Sequence, residues 1–288
     1  MSKVFLNGKI VPFDKAKLSV MDRSTLYGYG VFEGIRIYDG NIFKLDKHMN
    51  RFWRSAKYLG IKIPYSKKYL IGIIKKLAKL NKVKNGYCRP YVTGGSAGLG
   101  LNPKNAKKAS TVVIVNQLKL YPKKEIKVII AKTRRTPPEC INPNIKACNY
   151  VNNILAVIEA NQANAQEAIL LDMQGNVAEG SGDNIFMVKH GKLFTPKPRN
   201  ILPGITREFI MKIARSMKYK VVEKNIKPHE LLTANEIFLT GTGAEIIPVV
   251  KVGKKRIGDG KIGQITFKLI EKFNQEVRKP SNGTVITY

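Results

Sequence analysis

Residues 179–207 read EGSGDNIFMVKHGKLFTPKPRNILPGITR, and this stretch does most to decide the fold. Glu179 opens a turn rich in small residues, the apolar run IFMV predicts a strand, and KHGK predicts a hairpin-like turn. LPGITR then leads into the start of a predicted helix. Free backbone N–H groups and the helix dipole favour an anion at such a start, so the stretch predicts a phosphate-binding site.

An acidic residue near an anion site indicates a ligand that carries both a cationic group and a phosphate. Pyridoxal 5'-phosphate (PLP) has both, because its pyridine nitrogen can be protonated. PLP also needs a lysine amine to hold its aldehyde, and Lys146 is the candidate. The sequence therefore predicts a PLP site.

The composition is that of a soluble globular protein. The chain has 288 residues, 43% of them hydrophobic, with a mean hydropathy of -0.19, which suits two modest domains or one large one. No apolar run has the length of a membrane span, and the start, MSKVFLNGKIVPFD, lacks a signal-peptide core. We expect a cytoplasmic protein without a membrane segment.

The cysteines and histidines predict neither disulfides nor a metal site. The three cysteines form no CxxC pair and no even framework, which fits a reducing compartment. The three histidines are spread far apart, so they do not resemble a metal-ligand set. These residues are Cys88, Cys140, Cys148, His48, His190 and His229.

The formal net charge of +31 raises a different function, nucleic-acid binding, because a basic field attracts phosphate backbones of any sequence. The lysines are scattered through most segments rather than gathered in a tail, which equally fits a solvated lysine-rich surface. No RNP-like aromatic motif, zinc finger or helix-turn-helix pattern is evident. We expect no specific nucleic-acid partner.

In the first part of the chain, strands and helices alternate. VFLNGKIVPF (4–13) predicts a hairpin that turns at Asn7-Gly8, and VFEGIRIY (31–38) predicts a strand that turns at Asp39-Gly40. Apolar residues at helical spacing predict helices over 44–61 and 66–81. YCRPYVTGG and STVVIVNQL predict two more strands.

In the second part, IKVIIAKT, EAILLDM, NIFMV and EIFLTGTG predict strands. NYVNNILAVIEANQAN, Thr206–Met217 and about 261–277 predict helices. The pattern indicates an α+β fold in two lobes rather than a regular βαβ series. We expect a small N-terminal domain over 1–118, a polar linker over 119–125, and a larger mixed-sheet domain over 126–288.

The chain resembles the class IV, or fold type IV, PLP-dependent aminotransferases, and most of all the branched-chain amino-acid aminotransferases. The resemblance covers nearly the whole length, and its motifs occur in the family's order. They are YGYGVFEGIRIYDG (27–40), HMNRFWRSAK (48–57), YCRP (87–90), GLGLNP (98–103), IKACNYVNNILA (145–156), VAEGSGDNIF (177–186), LPGITRE (202–208) and LTGTGAEIIPV (239–249). The implied fold has a small N-terminal α/β domain and a larger C-terminal mixed-sheet domain, as in D-amino-acid aminotransferase.

The resemblance implies a role for each residue that would hold the cofactor ring. Lys146 would be the catalytic Schiff-base lysine, which can condense with an aldehyde only as a neutral amine. Glu179 would pair with the protonated pyridine nitrogen and keep the ring electron-withdrawing. Tyr150 would hydrogen-bond the 3'-oxygen, and an aromatic core residue on the helix face is the competing interpretation.

The phosphate of PLP would be bound from two regions of the chain. Arg51 matches the arginine of the family's HMNRF pattern, and its guanidinium fork suits phosphate geometry. Backbone groups of Ile205 and Thr206, the Thr206 hydroxyl and the Thr242 hydroxyl would complete the site. Without the resemblance, Arg51 reads as part of a solvated basic helix face.

The substrate residues fall into two groups. Tyr87 and Arg89 alternate on a strand and point to one face, and by resemblance they help to hold a carboxylate, together with backbone N–H groups of Thr242 and Gly243. An apolar side-chain pocket would be lined by four residues, of which the last two would come from the partner subunit. They are Tyr27, Phe32, Leu99 and Leu101.

The sequence departs from the family pattern in two places. Only Ala147 and Cys148 separate Lys146 from Asn149, where some members have one more residue. This shorter spacing also occurs in relatives that act on D-amino acids or on aminodeoxychorismate. A tryptophan found in some branched-chain enzymes after the strand near the linker is missing, since the one tryptophan is Trp53.

The function favoured is transfer of the amino group of L-leucine, L-isoleucine or L-valine to 2-oxoglutarate by a homodimer or higher homo-oligomer. A D-amino-acid aminotransferase or an aminodeoxychorismate lyase on the same fold is the nearest alternative. A basic nucleic-acid-binding protein and a catalytically inactive structural protein of this fold are alternatives of other classes.

Overall fold

A computed structural model describes residues 2–106, 108–118 and 125–287. By its contacts the chain divides into two units. The first comprises Met1–Lys119, Ile145–Tyr150 and Val277–Tyr288, and the second comprises Leu120–Asn144 and Val151–Glu276. The sequence-based domain limits, 1–118 and 126–288, differ from this grouping because Ile145–Tyr150 and Val277–Tyr288 belong to the first unit. The expected linker over 119–125 lies mostly outside the described residues.

Both units contain a mixed helix and sheet architecture, which agrees with the α+β expectation. The strands, in chain order, are β1 (Lys3–Leu6), β2 (Lys9–Pro12), β3 (Gly30–Phe32), β4 (Ile35–Tyr38), β5 (Asn41–Phe43), β6 (Gly86–Thr93), β7 (Thr111–Gln117), β8 (Ile126–Arg134), β9 (Glu167–Leu171), β10 (Val177–Gly180), β11 (Asn184–Lys189), β12 (Lys192–Thr195), β13 (Val221–Glu223), β14 (Glu236–Gly241), β15 (Glu245–Val252), β16 (Lys255–Arg256) and β17 (Gly283–Val285).

The helices connect these strands. In chain order they are α1 (Arg23–Tyr27), α2 (Leu45–Tyr58), α3 (Lys67–Leu80), α4 (Val151–Gln162), α5 (Ile205–Ser216), α6 (Pro228–Leu232) and α7 (Gln264–Glu276), with 3-10 turns at Phe13–Lys15, Pro103–Asn105 and Pro280–Asn282. No helix in the described part of the chain has both the length and the apolar character needed to cross a membrane.

The first unit is built on one sheet with the strand order β17-β5-β4-β6-β7-β1-β2, in which β3 also pairs with β6. Helix α2 buries Met49, Phe52 and Ala56, and α3 buries Leu70, Ile74 and Leu77, each at helical spacing. These side chains join the inward residues of the sheet in one core. Burial of these two apolar faces holds the helices on the sheet.

The N-terminal hairpin and α3 form as the sequence predicts. Asn7 and Gly8 both have positive φ, 48° and 95°, which a two-residue turn between antiparallel strands requires, and the strands pair from Leu6↔Lys9 outward. Helix α3 begins after Ser66, whose side chain accepts from the Tyr69 N–H.

The strand predicted over 31–38 is interrupted, which corrects the sequence interpretation. The pairs Phe32↔Tyr91 and Ile35↔Cys88 show that the register along β6 does not change across the break. Glu33 N–H still donates to the Pro90 carbonyl at 2.9 Å. Pro90 has no N–H to return, so the ladder is lost at this point and β3 and β4 become separate strands.

The second unit is built on a sheet with the order β10-β9-β8-β15-β14-β11-β12-β13, with β16 beside β15. The strands β8, β9 and β15 run parallel to one another where they pair, and β11, β14 and β15 are antiparallel. Glu179 lies within β10 rather than opening a turn, so the turn of small residues starts after Gly180. This is a second correction to the sequence interpretation.

Candidate functional site

In the first unit, Lys146 lies beside Tyr150 and Phe32. The Lys146 Nζ atom is 2.9 Å from the Tyr150 hydroxyl and 4.6 Å from the centre of the Phe32 ring. The two aromatic rings meet edge to face, with centroids 5.3 Å apart. A primary amine is thus held by a phenol and an aromatic face, an arrangement that restricts its direction and its access to water.

Backbone hydrogen bonds fix the segment that carries Lys146. Phe32 N–H donates to the Lys146 carbonyl at 3.1 Å, and Cys148 N–H donates to the Gly30 carbonyl at 2.8 Å. Lys146 N–H in turn donates to Ser55 Oγ of α2 at 3.1 Å. Lys146 therefore sits on a short chain segment that is bonded on one side to β3 and on the other to α2.

Tyr87 and Arg89 point to the same face of β6, as their alternation predicts. Arg89 Nη2 donates to the Tyr87 hydroxyl at 3.2 Å, and its guanidinium carbon lies 4.6 Å from the centre of the Phe32 ring. A Cβ atom on Gly34 would lie 1.7 Å from the Tyr87 hydroxyl oxygen. Glycine at position 34 is what permits the Tyr87 ring to occupy this position.

The first unit thus brings together five of the residues that the sequence assigns to the cofactor or the substrate. The cluster combines an amine, a guanidinium, two phenols and a phenyl ring. Such a surface suits an anionic, partly apolar ligand, because the cations attract a carboxylate while the rings exclude water. The five are Lys146, Tyr150, Phe32, Tyr87 and Arg89.

Arg51, the expected phosphate arginine, is paired with Glu33, a residue of the motif over 27–40 to which the sequence analysis assigns no role. Its Nε and Nη2 atoms donate to Glu33 Oε1 and Oε2 at 2.6 and 2.9 Å, and His48 Nδ1 lies 2.7 Å from Oε2. All three side chains are buried. The signal in the sequence was a carboxylate inside the apolar run VFEGIRIY, since a buried acid needs such partners.

Burial and charge set the ionisation of this group. Burial by itself raises the pKa of Glu33, but the charge of Arg51 and the hydrogen bonds from Arg51 and His48 lower it to about 2. Burial lowers the pKa of His48, and this effect exceeds the opposing influence of Glu33. Glu33 is therefore an anion, and His48 is a neutral imidazole that donates from Nδ1.

We expect acid to destabilise the protein through this group. Both pKa values are lower in the folded than in the unfolded chain, so the unfolded chain binds more protons and the free energy of unfolding falls as pH falls. The loss begins below pH 6.5 with His48 and continues from pH 4.5 to about pH 2 with Glu33. The Glu33 share is about 3 kcal/mol.

Urea unfolding between pH 7 and pH 3 checks this expectation when wild type is compared with Glu33→Gln. The difference in free energy of unfolding between the two proteins should shrink as the pH is lowered, because the unfolded wild-type chain takes up a proton at Glu33 that the unfolded variant cannot take up. A difference that stays constant over this range would contradict the assignment.

Tyr27 lies beside the loop that carries Leu99 and Leu101. Gly100 N–H donates to the Tyr27 hydroxyl at 3.2 Å, and the loop carbonyls of Leu101 and Asn102 accept from Arg23. The Leu99 and Leu101 side chains are 78% and 77% exposed, so within the first unit they line no pocket. The structure thus groups Tyr27 with this loop and leaves both leucines uncovered.

In the second unit, Glu179 is buried and surrounded by donors. It accepts from Arg135 Nε at 2.7 Å, from Asn184 Nδ2 at 3.0 Å and from the Leu202 N–H at 3.1 Å. Such donors stabilise a carboxylate anion away from water. The sequence analysis assigns no role to Arg135 or Asn184; Asn184 lies in the same motif as Glu179, over 177–186, whereas no motif contains Arg135.

Helix α5 begins at Ile205, one residue before the predicted start at Thr206, and its start has the character of an anion site. Gly204 is the N-cap residue and provides no side-chain cap, so the first N–H groups at Ile205 and Thr206 are not capped from that position. A Cβ atom on Gly204 would lie 2.0 Å from Asn184 Oδ1. Glycine therefore allows Asn184, which also donates to Glu179, to pack against the helix start.

The turn that carries Thr242 and Gly243 follows β14 directly, and both residues are half-buried. Before it, the buried Thr240 hydroxyl has no hydrogen-bond partner among the described residues. The unit therefore presents hydroxyl and backbone N–H groups at this turn, the types of donor that bind phosphate and carboxylate oxygens.

The residues of each unit fit PLP by their chemistry. The first supplies an amine with a phenol beside it, and the second supplies a buried carboxylate with three donors and an uncapped helix start. These are the groups that an aldehyde, a pyridine nitrogen and a phosphate require. Within the described ranges, no cluster of three or more His, Cys, Asp or Glu side chains could hold a metal ion.

Comparison with known proteins gives one family. The family model described as amino-transferase class IV matches residues 30–252. The chain is 44% identical over 273 residues to a putative branched-chain-amino-acid aminotransferase of Methanocaldococcus jannaschii, covering 94% of this chain and 95% of the relative.

Two solved structures are similar over nearly the whole length. The branched-chain amino acid aminotransferase of T.th. complexed with N-(5'-phosphopyridoxyl)-L-glutamate is 36% identical with a TM-score of 0.94, covering 100% of this chain and 98% of that one. The branched-chain aminotransferase of Thermoproteus uzoniensis with norvaline is 33% identical with a TM-score of 0.93, covering 99% of both chains. The fold expected from the sequence is thereby confirmed.

Proposed function

Because the chain belongs to the class IV aminotransferases, a PLP-dependent family, we propose that it is a branched-chain amino-acid aminotransferase. It transfers the amino group of L-leucine, L-isoleucine or L-valine to 2-oxoglutarate. The observation that carries the proposal is the Lys146 amine at 2.9 Å from the Tyr150 hydroxyl. Both residues belong to the ordered series of motifs between residues 27 and 249. Relatives with this named activity support the substrate class.

PLP, when bound, supplies an electron-withdrawing ring that stabilises negative charge at the substrate α-carbon. Lys146 would hold the aldehyde of the cofactor through its amine, and as a free amine it would move the proton at the substrate α-carbon. The Tyr150 hydroxyl orients that amine and would hydrogen-bond the 3'-oxygen of the cofactor. The Phe32 ring limits the freedom of the Lys146 side chain from a second direction.

The remaining cofactor groups have separate tasks. Glu179 pairs with the pyridine nitrogen, and its donors Arg135, Asn184 and Leu202 N–H preserve its negative charge for that purpose. The phosphate is bound by the uncapped start of α5, with Arg51 and two hydroxyls. These phosphate residues are Arg51, Ile205, Thr206 and Thr242.

The substrate is held by its carboxylate and its side chain. Arg89, whose guanidinium stacks on Phe32, binds carboxylate oxygens with the Tyr87 hydroxyl, and backbone N–H groups at Thr242 and Gly243 add donors. Tyr27 and Phe32 form the apolar pocket for the branched side chain, together with Leu99 and Leu101 contributed by the loop of the partner subunit.

The active form is a cytoplasmic homodimer. Two exposed leucines on one loop, at 78% and 77%, are apolar surface that an isolated chain leaves in water. Helix α4 likewise exposes Val151, Ile154 and Ile158 at helical spacing. The three free cysteines suit a reducing compartment. Sedimentation of active enzyme as a single 32.3 kDa chain would refute the dimer.

The absorption spectrum of the purified protein with PLP tests the function. Addition of L-leucine is expected to convert the bound cofactor to its pyridoxamine form, and 2-oxoglutarate is expected to convert it back. L-valine and L-isoleucine should do the same, while D-alanine should leave the spectrum unchanged. A response to D-alanine alone would assign the chain to the D-amino-acid enzymes, and no spectral response to PLP would remove the function altogether.

A further inference from the structure

Glu33, which no sequence motif assigned to the site, occupies a central place in the first unit. Its side chain is fully buried and accepts from both Nε and Nη2 of Arg51 through its two oxygens, at 2.6 and 2.9 Å. A guanidinium held by two parallel bonds is fixed in plane and direction, because its nitrogens form one rigid fork. Glu33 therefore sets where the rest of the Arg51 guanidinium points.

The carboxylate of Glu33 is itself fixed. His48, one helical turn before Arg51 on α2, donates from Nδ1 to Glu33 Oε2 at 2.7 Å. The backbone of Glu33 donates to the Pro90 carbonyl, and that of its neighbour Phe32 donates to the Lys146 carbonyl. One short stretch thus sets the positions of both the Arg51 guanidinium and the Lys146 segment.

Stability alone does not account for this buried group. Taking an acid, a guanidinium and an imidazole out of water costs free energy that well-packed apolar residues would not require. His48 Nε2 is buried and has no partner among the residues the structure describes, so the group is not even fully satisfied. Because this buried group costs stability and fixes the Arg51 guanidinium, its role is to position that guanidinium.

We propose that Glu33 is a positioning residue that aims the Arg51 guanidinium at the phosphate of PLP, with His48 holding the Glu33 carboxylate in place. The inference rests on the proposed function, in which Arg51 binds that phosphate. Glu33 touches neither substrate nor cofactor and acts through Arg51. It also balances the Arg51 charge, so that the arginine contributes directed hydrogen bonds in place of an unpaired buried cation.

Comparison of PLP with pyridoxal, which lacks the phosphate, tests the role of Glu33. Glu33→Gln keeps the shape but places an amide donor against the donors of Arg51. The dissociation constant of PLP is expected to rise about tenfold to a hundredfold, the scale of a misplaced hydrogen bond to a charged group. The dissociation constant of pyridoxal is expected to stay at the wild-type value.

Two further variants make the result specific. Glu33→Asp keeps the charge but shortens the side chain, so it should show a smaller, equally phosphate-specific loss, and it serves if Glu33→Gln does not fold. Asp46→Asn removes an exposed carboxylate from α2, the helix that carries Arg51. This variant should bind PLP and pyridoxal as wild type does. Thermal unfolding of each protein without cofactor shows which variants are folded.

The outcomes separate this inference from the function itself. Equal losses of PLP and pyridoxal affinity, or unchanged PLP affinity in folded Glu33→Gln and Glu33→Asp, would overturn the positioning role while leaving the aminotransferase intact. Wild-type protein that binds neither compound would instead remove the proposed function. A loss confined to PLP supports the role.

Discussion

Replacing Lys146 with alanine is expected to abolish transamination, with kcat reduced by a factor of roughly 10⁴. The variant loses both the amine that holds the aldehyde and the group that moves the proton at the substrate α-carbon. The Tyr150 hydroxyl lies 2.9 Å from Nζ in the wild type, but a phenol cannot take over the role of the lost amine. Steady-state turnover of L-leucine with 2-oxoglutarate measures the effect.

A second readout is retention of the cofactor. Wild-type protein should keep its PLP absorption through dialysis, whereas Lys146→Ala should lose it because no covalent bond remains. Lys254→Ala, at an exposed turn position, is the matched control and should keep both activity and colour. If Lys146→Ala turned over substrate at the wild-type rate, the assignment of the catalytic lysine would be wrong.

Replacing Glu179 with glutamine is expected to lower kcat about 10²- to 10³-fold, the scale seen when one electrostatic partner of a reaction is removed. Glutamine keeps the shape but lacks the charge that retains a proton on the pyridine nitrogen, so the ring withdraws electrons less strongly. KM for L-leucine should change far less than kcat, because Glu179 does not contact the substrate.

The control for Glu179 is another carboxylate of the same unit that accepts hydrogen bonds. Glu167 on β9 accepts from Ser181 N–H and Ser181 Oγ at 3.1 and 2.9 Å, and has no proposed part in the reaction. Glu167→Gln should lower thermal stability without changing kcat. If Glu179→Gln and Glu167→Gln lost kcat to the same extent for the same loss of thermal stability, Glu179 would have only a structural role.

The fold could largely be predicted because its local signals agree. Asn7-Gly8 encodes its turn, Ser66 caps α3, and the apolar spacing of α2 and α3 matches the faces that are buried. The break in the strand over 31–38 was missed for a specific reason. The break depends on Pro90 of β6, which is distant in the chain. The strand propensity of residues 31–38 contains no information about the strand that pairs with them.

The site residues divide in the same way. Lys146, Tyr150, Tyr87 and Arg89 stand in motifs, and the structure brings them into one cluster. Glu33, a partner of Arg51, and Arg135, a partner of Glu179, lie outside the motifs of the residues that they bind, because each pair meets only after the chain has folded. A buried ion pair is a product of tertiary structure, and a single sequence shows only that an acid lies in an apolar stretch.

The pairing of β17 with β5 has a consequence for synthesis of the chain. Gly283–Val285 complete the hydrogen bonds of Asn41–Phe43, so a ribosome must deliver the chain as far as Val285 before that early edge is closed. Until then the edge is open to pairing with another nascent chain. A nascent polypeptide arrested before residue 283 should consequently be more prone to aggregate than the released product, even though its N-terminal hairpin is already present.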